Sequence, residues 1–247
     1  LVVNASNSFK ILNWLNVNNV SSIVIKDITM ERGLLAVQGP KAIDLLQNFT
    51  DFNLFDMKSY SFQILKLGGV DNILLSSTGY TGSGGFEIYG DKNDMLRIWD
   101  MLFSVPKFNV MPIGLGARDT LRLEMGFCLY GNELSENISP LEARLSKIIA
   151  FDTNFIGSKA LNKSEIKKEL IAFELVDRGI PRKGYTILNE KNQELGVVSS
   201  GTMSPSLSKG IGLGFINRNS NFNDIFVLVR NKKILAKIVK LPFYKKK

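Results

Sequence analysis

The sequence predicts an α+β fold in which an α/β part is followed by a smaller all-β part. Two observations support this prediction. Between residues 8 and 125, apolar residues recur alternately at helical and at strand-like spacing. Beyond residue 168, six short strand-like runs follow one another closely, which is typical of a small barrel or sandwich. The 247 residues suffice for one large domain or two smaller ones.

The first part is expected to alternate helices and strands. The predicted helices occupy 8–15 and the stretches after Gly39-Pro40, after an Asp91 or Asn93 cap, and after Pro112. The last of them carries apolar residues at i, i+4 spacing, namely Ile113, Ala117, Leu121 and Met125. The predicted strands are 32–37, 59–67, 72–77 and 86–89. The opening run 1–4 is also strand-like.

The second part reads as short strands separated by turn-rich segments. The predicted strands are 170–176, 185–188, 196–199, 211–216, 225–229 and 234–241. A helical pattern over 155–168 precedes them. We therefore expect three regions: a first domain over 1–150, a helical connector over 151–168 and a C-terminal β-domain over 169–247.

Composition excludes several classes of site. Histidine is absent, which excludes Ser-His-Asp and Cys-His catalysis and every His-ligated metal site. The single cysteine, Cys128, excludes an internal disulfide and a multi-cysteine metal site. No apolar run is long enough to span a bilayer. The net charge of +8 favours an anionic partner, which could be nucleic acid, an acidic protein or a polyanionic small molecule.

The segment richest in glycine is the run at 77–89, STGYTGSGGFEIY. A phosphate loop would require a helix after the glycines, whereas an extended alternation follows here. The pattern alone predicts a glycine-rich hairpin. If Phe86 and Ile88 face the core, Glu87 lies on the other face, beside Tyr80. A carboxylate there can accept two parallel N–H bonds from a guanidine-like edge, such as that of a pterin.

Two arginines form the next candidate cluster. Arg118 and Arg122 are one turn apart on a predicted helix and share a face. They are either neutralised by Asp119 or Glu124, or they hold an anion.

Two further segments carry a structural prediction rather than a chemical one. Cys128 lies among Phe127, Leu129 and Tyr130, which predicts a buried, inert thiol. Glycines at period two, Gly210, Gly212 and Gly214, predict a strand face on which another backbone packs closely.

Together, in order and spacing, these segments resemble the T-protein of the glycine cleavage system, a folate-dependent aminomethyltransferase. The matching pieces are LLAVQGPKA at 34–42, STGYTGSGGFEIY at 77–89, GLGARDTLRLEMGFCLYGNEL at 114–134, SPLEARLSKII at 139–149, FIGSKAL at 155–161, GVVSSGTMSPSLSKGIGLGFI at 196–216 and KLPF at 240–243. The resemblance implies a folate-binding aminomethyltransferase-type α/β domain, incomplete at its amino terminus, followed by a small C-terminal antiparallel β-barrel.

The resemblance also implies site residues. The tyrosine and final glutamate of the family's YTGxxGxE segment line the pterin pocket, which assigns Tyr80 and Glu87 to folate binding. The arginine of its ARD motif contacts folate and corresponds to Arg118. Arg122 is expected to be structural, and Asn4 is a weaker pocket candidate.

The implied reaction transfers a one-carbon unit from the aminomethyl-lipoyl arm of H-protein to tetrahydrofolate and releases ammonia. The expected partners are therefore lipoylated H-protein and tetrahydrofolate, a co-substrate, with no metal, nucleic acid or membrane. The expected location is the cytoplasm of a bacterium or the mitochondrial matrix of a eukaryote.

The sequence departs from the family at one point. Family members carry, before the position that matches Leu1, a GGxxDD-like stretch with an aspartate thought to assist the transfer. This sequence contains no such stretch. We therefore expect no catalytic residue in this chain, weak folate binding and transfer near zero by the chain alone.

Other functions are left open by the departure. The alternatives are an inactive fragment, a remnant that binds folate or H-protein, and another folate-dependent relative such as a demethylase. A tRNA-modification relative would carry a KGCYxGQE-like motif, but Gly126 stands where its lysine is expected.

Overall fold

The computed structural model describes residues 1–245, which form two compact units. The first unit is Leu1–Pro112 and the second begins at Ile113. The division at Pro112 differs from the expected boundary at residue 150, because helix α4 packs against strands of the second unit. The domain boundary at residue 150 stays a prediction.

The first unit contains a four-stranded antiparallel sheet and three helices. The helices are α1 (Ser8–Val17), α2 (Ala42–Leu46) and α3 (Lys92–Phe103). The strands are β1 (Arg32–Gln38), β2 (Phe62–Leu67), β3 (Val70–Ser76) and β4 (Gly85–Asp91). Their order in the sheet is β1-β4-β3-β2, so β1 and β2 are the edges. Short 3₁₀ helices lie at Ala5–Asn7, Gln47–Phe49, Leu54–Asp56 and Pro106–Phe108.

One face of this sheet packs on α3. Ile73, Leu75 and Ile88 are buried against the apolar side of the helix, which presents Met95 and Ile98. The helix begins where predicted, because the Asp91 side chain accepts a hydrogen bond from the Asn93 backbone N–H.

One predicted strand of this unit and the predicted start of another are wrong. Residues 1–4 are not a strand, because none of the described strands pairs with them, and Leu1 and Val2 are exposed. Strand β2 begins at Phe62 rather than at residue 59, because Tyr60 has a φ of 63°, which a strand cannot accommodate.

The second unit is built around a closed six-stranded barrel. Its strands are β5 (Lys168–Leu175), β6 (Thr186–Asn189), β7 (Glu194–Ser204), β8 (Lys209–Asn217), β9 (Ile225–Val229) and β10 (Lys232–Ile238). They pair in the order β10-β5-β8-β7-β6-β9, every neighbouring pair antiparallel. The barrel prediction is confirmed, and so is the α+β fold class. Phe173, Ile187 and Val227 are fully buried in the barrel core.

Three short helices precede the barrel in the sequence of this unit. They are α4 (Leu115–Glu124), α5 (Ser158–Lys163) and a 3₁₀ turn, Ser146–Ile148. Of the expected helical connector 151–168, only α5 is helical. Gly157 before it has a left-handed φ of 94° and Ser164 after it is extended, so the helix cannot continue in either direction.

Helix α4 buries a different face from its apolar row. Its buried residues are Arg122, Leu123 and Glu124, whereas Ile113 and Ala117 are exposed. The helix is present as predicted, but its apolar spacing does not identify the buried face, because the polar residues find partners inside the unit, as described below.

The glycines of β8 are confirmed as sites of close approach, although only in part to backbone. A Cβ at Gly210 would lie 2.4 Å from the carbonyl oxygen of Gly179. A Cβ at Gly212 would instead lie 2.5 Å from the ring of Phe173.

Candidate functional site

Glu87 lies on the face of the first unit's sheet that α3 does not cover. Along β4, Phe86 and Ile88 are buried, and Glu87 and Tyr89 between them point to the opposite face. The predicted orientation of Glu87 is therefore confirmed. The predicted hairpin is confirmed as well, since β3 and β4 pair in antiparallel fashion around the loop 77–84.

Two hydroxyl groups bind the Glu87 carboxylate. Thr78 Oγ1 donates to Glu87 Oε2 at 2.5 Å, and Tyr89 Oη donates to the same oxygen at 3.0 Å. Burial, and secondarily the negative charge of Glu87, raises the pKa of Tyr89 to about 12. The phenol is therefore a hydrogen-bond donor at any physiological pH.

The side chains next to Glu87 in its row are small. Ala36 of β1 and Ser76 of β3 lie opposite Glu87 in the strand register. The next row contains Leu74, Tyr89 and Leu34, of which Leu34 is exposed. The carboxylate is thus flanked by small side chains in its own row and by apolar side chains in the next, which suits a flat ligand with polar N–H groups on its edge.

The glycine-rich loop is tied to β1 through Gln38. Its Nε2 donates to the carbonyl oxygens of Thr78 and Phe86, and its Oε1 accepts from Thr81 Oγ1. A Cβ at Gly79 would lie 1.9 Å from Gln38 Oε1, so a larger residue here would displace the Gln38 amide from its hydrogen bonds. The glycines therefore permit a close backbone approach that fixes the loop next to Glu87.

The other residues implied for folate binding lie apart in sequence. Tyr80 is half-buried in the loop 77–84, in the same unit as Glu87. Arg118 is exposed on α4, in the second unit. Asn4 precedes the 3₁₀ turn Ala5–Asn7, and its side chain makes no capping hydrogen bond. The assignment of Tyr80, Glu87 and Arg118 to folate stays a prediction.

Arg122 is structural, as expected, and its side chain is 1% exposed. It forms ion pairs with Asp119 at 2.7 Å and with Glu133 at 3.1 Å. It also donates to the Phe127 carbonyl oxygen and to Ser200 Oγ. Of its two predicted neutralising partners, Asp119 is confirmed.

Glu124 is the wrong one of the two predicted partners. Its carboxylate accepts hydrogen bonds from the hydroxyl groups of Ser204 and Ser206 and from the Ser206 backbone N–H. These donors satisfy the buried charge, and they anchor the turn between β7 and β8 to α4.

Sequence reasoning missed Thr78, Tyr89 and Gln38. Tyr89 could have been found, because residues two apart on a strand share a face. The partners Thr78 and Gln38 depend on loop geometry and strand register, for which the sequence contains no signal.

Cys128 is half-buried, and so less buried than the apolar residues around it predict. Burial, followed by the negative charge of Glu133, raises the pKa of its thiol to about 11. The thiolate fraction near neutral pH is therefore roughly 100-fold below that of an unperturbed thiol with a pKa of 9.0.

We expect Cys128 to react slowly with thiol reagents in the folded protein and to accelerate roughly 100-fold on unfolding at about pH 8. A disulfide-exchange reagent measures this directly, because the chain has one cysteine. Equal rates in the folded and unfolded states would contradict the raised pKa. The folded-state rate should rise with pH up to the pKa of about 11.

Neither a metal site nor a membrane span occurs in the described part of the chain. Within residues 1–245, no group of three or more Cys, Asp or Glu side chains is arranged to hold a metal ion. In the same range, no helix is both long and apolar enough to cross a membrane.

Comparison with known proteins agrees with this architecture. Residues 1–153 match the family model of the GCVT N-terminal domain, and residues 168–245 match that of the glycine cleavage T-protein C-terminal barrel domain. These two matches correspond in order to the α/β part and the barrel.

Relatives in other organisms are similar over almost the whole chain. The aminomethyltransferase of Flavobacterium psychrophilum is 47% identical over 252 residues, which cover 100% of this chain and 70% of the relative. That of Natranaerobius thermophilus is 44% identical over 255 residues, covering 100% of this chain and 69% of the relative.

A solved structure shows the same fold. It is the glycine cleavage system aminomethyltransferase T from Bartonella henselae, with a TM-score of 0.84 and 26% identity, and the match covers 98% of this chain and 67% of that one. The chain belongs to the glycine cleavage T-protein (aminomethyltransferase) family.

Proposed function

We propose that this chain serves aminomethyl transfer in the glycine cleavage system. In that reaction, the one-carbon unit on the lipoyl arm of H-protein passes to tetrahydrofolate, and ammonia leaves. The proposal is supported by relatives named aminomethyltransferase at 47% identity. The observation in this chain that carries it is the Glu87 carboxylate, held by two hydroxyl groups on the sheet face that α3 does not cover.

The chemistry of Glu87 suits the pterin end of tetrahydrofolate. Both of its hydroxyl donors bind Oε2, and no other side chain or backbone group of residues 1–245 donates to Oε1. A carboxylate with one such oxygen can accept from the paired N–H groups of an amino-pyrimidinone edge, and these charge-assisted hydrogen bonds are stronger than neutral ones. Tyr80 and Arg118 are proposed as further folate ligands on the strength of their motifs.

The reaction depends more on the positioning of its two substrates than on strong acid–base catalysis by the protein. The folate nitrogen is the nucleophile and an amine is the leaving group, so orientation of the two substrates supplies much of the rate. A protein without histidine can provide this orientation with carboxylate, hydroxyl and guanidinium groups.

The net charge bears on the protein partner. A chain with a charge of +8 attracts an acidic partner at long range, which accelerates association. We propose lipoylated H-protein as this partner. The relatives named above are bacterial, which favours the cytoplasm as the location.

Binding of a stable reduced folate, 5-formyltetrahydrofolate, tests the proposal. We expect Glu87→Gln to raise the Kd of this folate roughly 10- to 100-fold, because a charged acceptor is lost. Isothermal titration calorimetry measures the Kd of both proteins.

The matched control is Glu31→Gln in the same unit. Glu31 is exposed and pairs with Lys26 at 2.8 Å, so its removal should leave the Kd unchanged. Failure of the unaltered chain to bind the folate, or equal affinity for Glu87→Gln and wild type, would refute the proposal.

A further inference from the structure

The hydrogen bonds to Glu87 converge on one oxygen from two different elements. Thr78 comes from the loop after β3, and Tyr89 from β4 itself. Thr78 Oγ1 also lies 3.0 Å from Ser76 Oγ. A hydroxyl group has one proton to donate, and the shorter contact to the charged acceptor takes it.

The two donors restrict a side chain that would otherwise be mobile. Glutamate has three rotatable bonds and loses up to about 2 kcal/mol of rotamer entropy when it is fixed. Because its cross-strand neighbours Ala36 and Ser76 are small, they provide little packing against the Glu87 carboxylate. The two hydroxyl groups are the donors that hold it in place among the described residues.

The direction of both hydrogen bonds is fixed by chemistry. The phenol of Tyr89 stays protonated at physiological pH and donates, and a carboxylate oxygen accepts. Occupation of Oε2 by both donors leaves the lone pairs of Oε1 for a ligand. The arrangement therefore presents one oxygen of Glu87 in one orientation before any ligand arrives.

We infer that Thr78 and Tyr89 are positioning residues, which pre-orient the Glu87 carboxylate for the N–H groups of the folate pterin. This inference rests on the proposed function. It predicts that the hydroxyl groups contribute to folate affinity only through the charge and placement of Glu87.

Substitution of each hydroxyl group tests the inference. We expect Thr78→Val and Tyr89→Phe each to raise the Kd of 5-formyltetrahydrofolate about 3- to 10-fold. This range corresponds to the loss of one hydrogen bond to a charged group, when the remaining hydrogen bond partly compensates for that loss. Thr78→Ser, which retains the hydroxyl group, should restore most of the affinity. Thermal unfolding of each variant shows whether the fold is intact.

A double-mutant cycle separates positioning from a merely structural role. In the Glu87→Gln background, Thr78→Val should change the Kd less than about 2-fold, because the charge that Thr78 orients is gone. A structural role would give the same loss in both backgrounds. The matched control is Thr29→Val, since the Thr29 hydroxyl group donates to Asp27 at 2.6 Å on the exposed surface of the same unit.

The outcomes distinguish this inference from the proposed function. A large loss for Glu87→Gln with unchanged affinity for Thr78→Val and Tyr89→Phe would overturn the inference and leave the proposed function standing. Equal losses for Thr78→Val in both backgrounds would also overturn it. Absence of folate binding by the unaltered chain would refute both.

Discussion

Replacement of Arg122 by methionine is expected to lower the free energy of unfolding of the second unit by about 3–5 kcal/mol. Methionine is shorter than arginine but of comparable volume and retains the apolar stem, so most of the loss arises from the charge and the hydrogen bonds of the guanidinium group. The side chain of Glu133 is 0% exposed and would keep, among residues 1–245, only the Ser199 hydroxyl group and the Leu129 backbone N–H as partners. A buried carboxylate without its cation is strongly destabilising.

Urea unfolding followed by circular dichroism measures this change. Tryptophan fluorescence would not report on it locally, because Trp14 and Trp99 both lie in the first unit. The control is Arg144→Met, because Arg144 pairs with Glu169 where both side chains are about half exposed, and it should cost less than about 1 kcal/mol.

A second substitution tests the cause. If the isolated carboxylate is responsible, Glu133→Leu in the Arg122→Met background should recover part of the lost stability, as apolar replacements of buried ion pairs often do. A cost for Arg122→Met no greater than for Arg144→Met would contradict the structural role of Arg122.

The two arginines of α4 illustrate what spacing alone does not decide. Arg118 and Arg122 are equivalent in the sequence pattern, yet one is exposed and the other is buried. The difference arises from Glu133, 11 residues along the chain, and Ser200, 78 residues along, which both reach Arg122. Long-range partners of this kind leave no mark on the local sequence around α4.

The strands were more predictable than their limits. Alternation of apolar residues over β4 reflects burial of one face, and this local property is visible in sequence. Pairing is not local, and the strand-like run 1–4 therefore failed as a prediction. Closure of the second sheet into a barrel likewise depends on the pairing of β9 with both β10 and β6. Apolar spacing does not show this pairing, so it does not distinguish a barrel from a sandwich.

The candidate site follows the same division. The face on which Glu87 lies is a consequence of period-two alternation, so the sequence was sufficient. The contact of Thr78 with Glu87 requires the pairing of Ser76 with Glu87 across the hairpin and the path of the loop beyond it. The glycines indicated a loop with an unusual backbone conformation. They make room for the Gln38 side chain, which lies 41 residues before Gly79 and could not be identified as its neighbour from the sequence.

Replacement of Phe173 by alanine is expected to destabilise the barrel by about 3–5 kcal/mol, as deletion of a buried aromatic ring does. Phe173 is 0% exposed, and its ring lies across Gly212, its partner in the β5–β8 register. Because Gly212 has no side chain, it leaves the space that the Phe173 ring occupies. We expect Gly212→Ala alone to cost about 1–3 kcal/mol by overpacking against that ring.

The coupling between these two positions gives the decisive measurement. If the ring and the glycine occupy one space, Phe173→Leu combined with Gly212→Ala should cost less than the sum of the two single changes, because the shorter side chain vacates room for the new methyl group. Urea unfolding of the four proteins gives the coupling energy. Phe151→Ala serves as the control, since Phe151 is 44% exposed and should cost less than about 1 kcal/mol. Strict additivity would contradict the packing of Phe173 on Gly212, and a cost for Phe173→Ala no larger than that of Phe151→Ala would contradict its place in the barrel core.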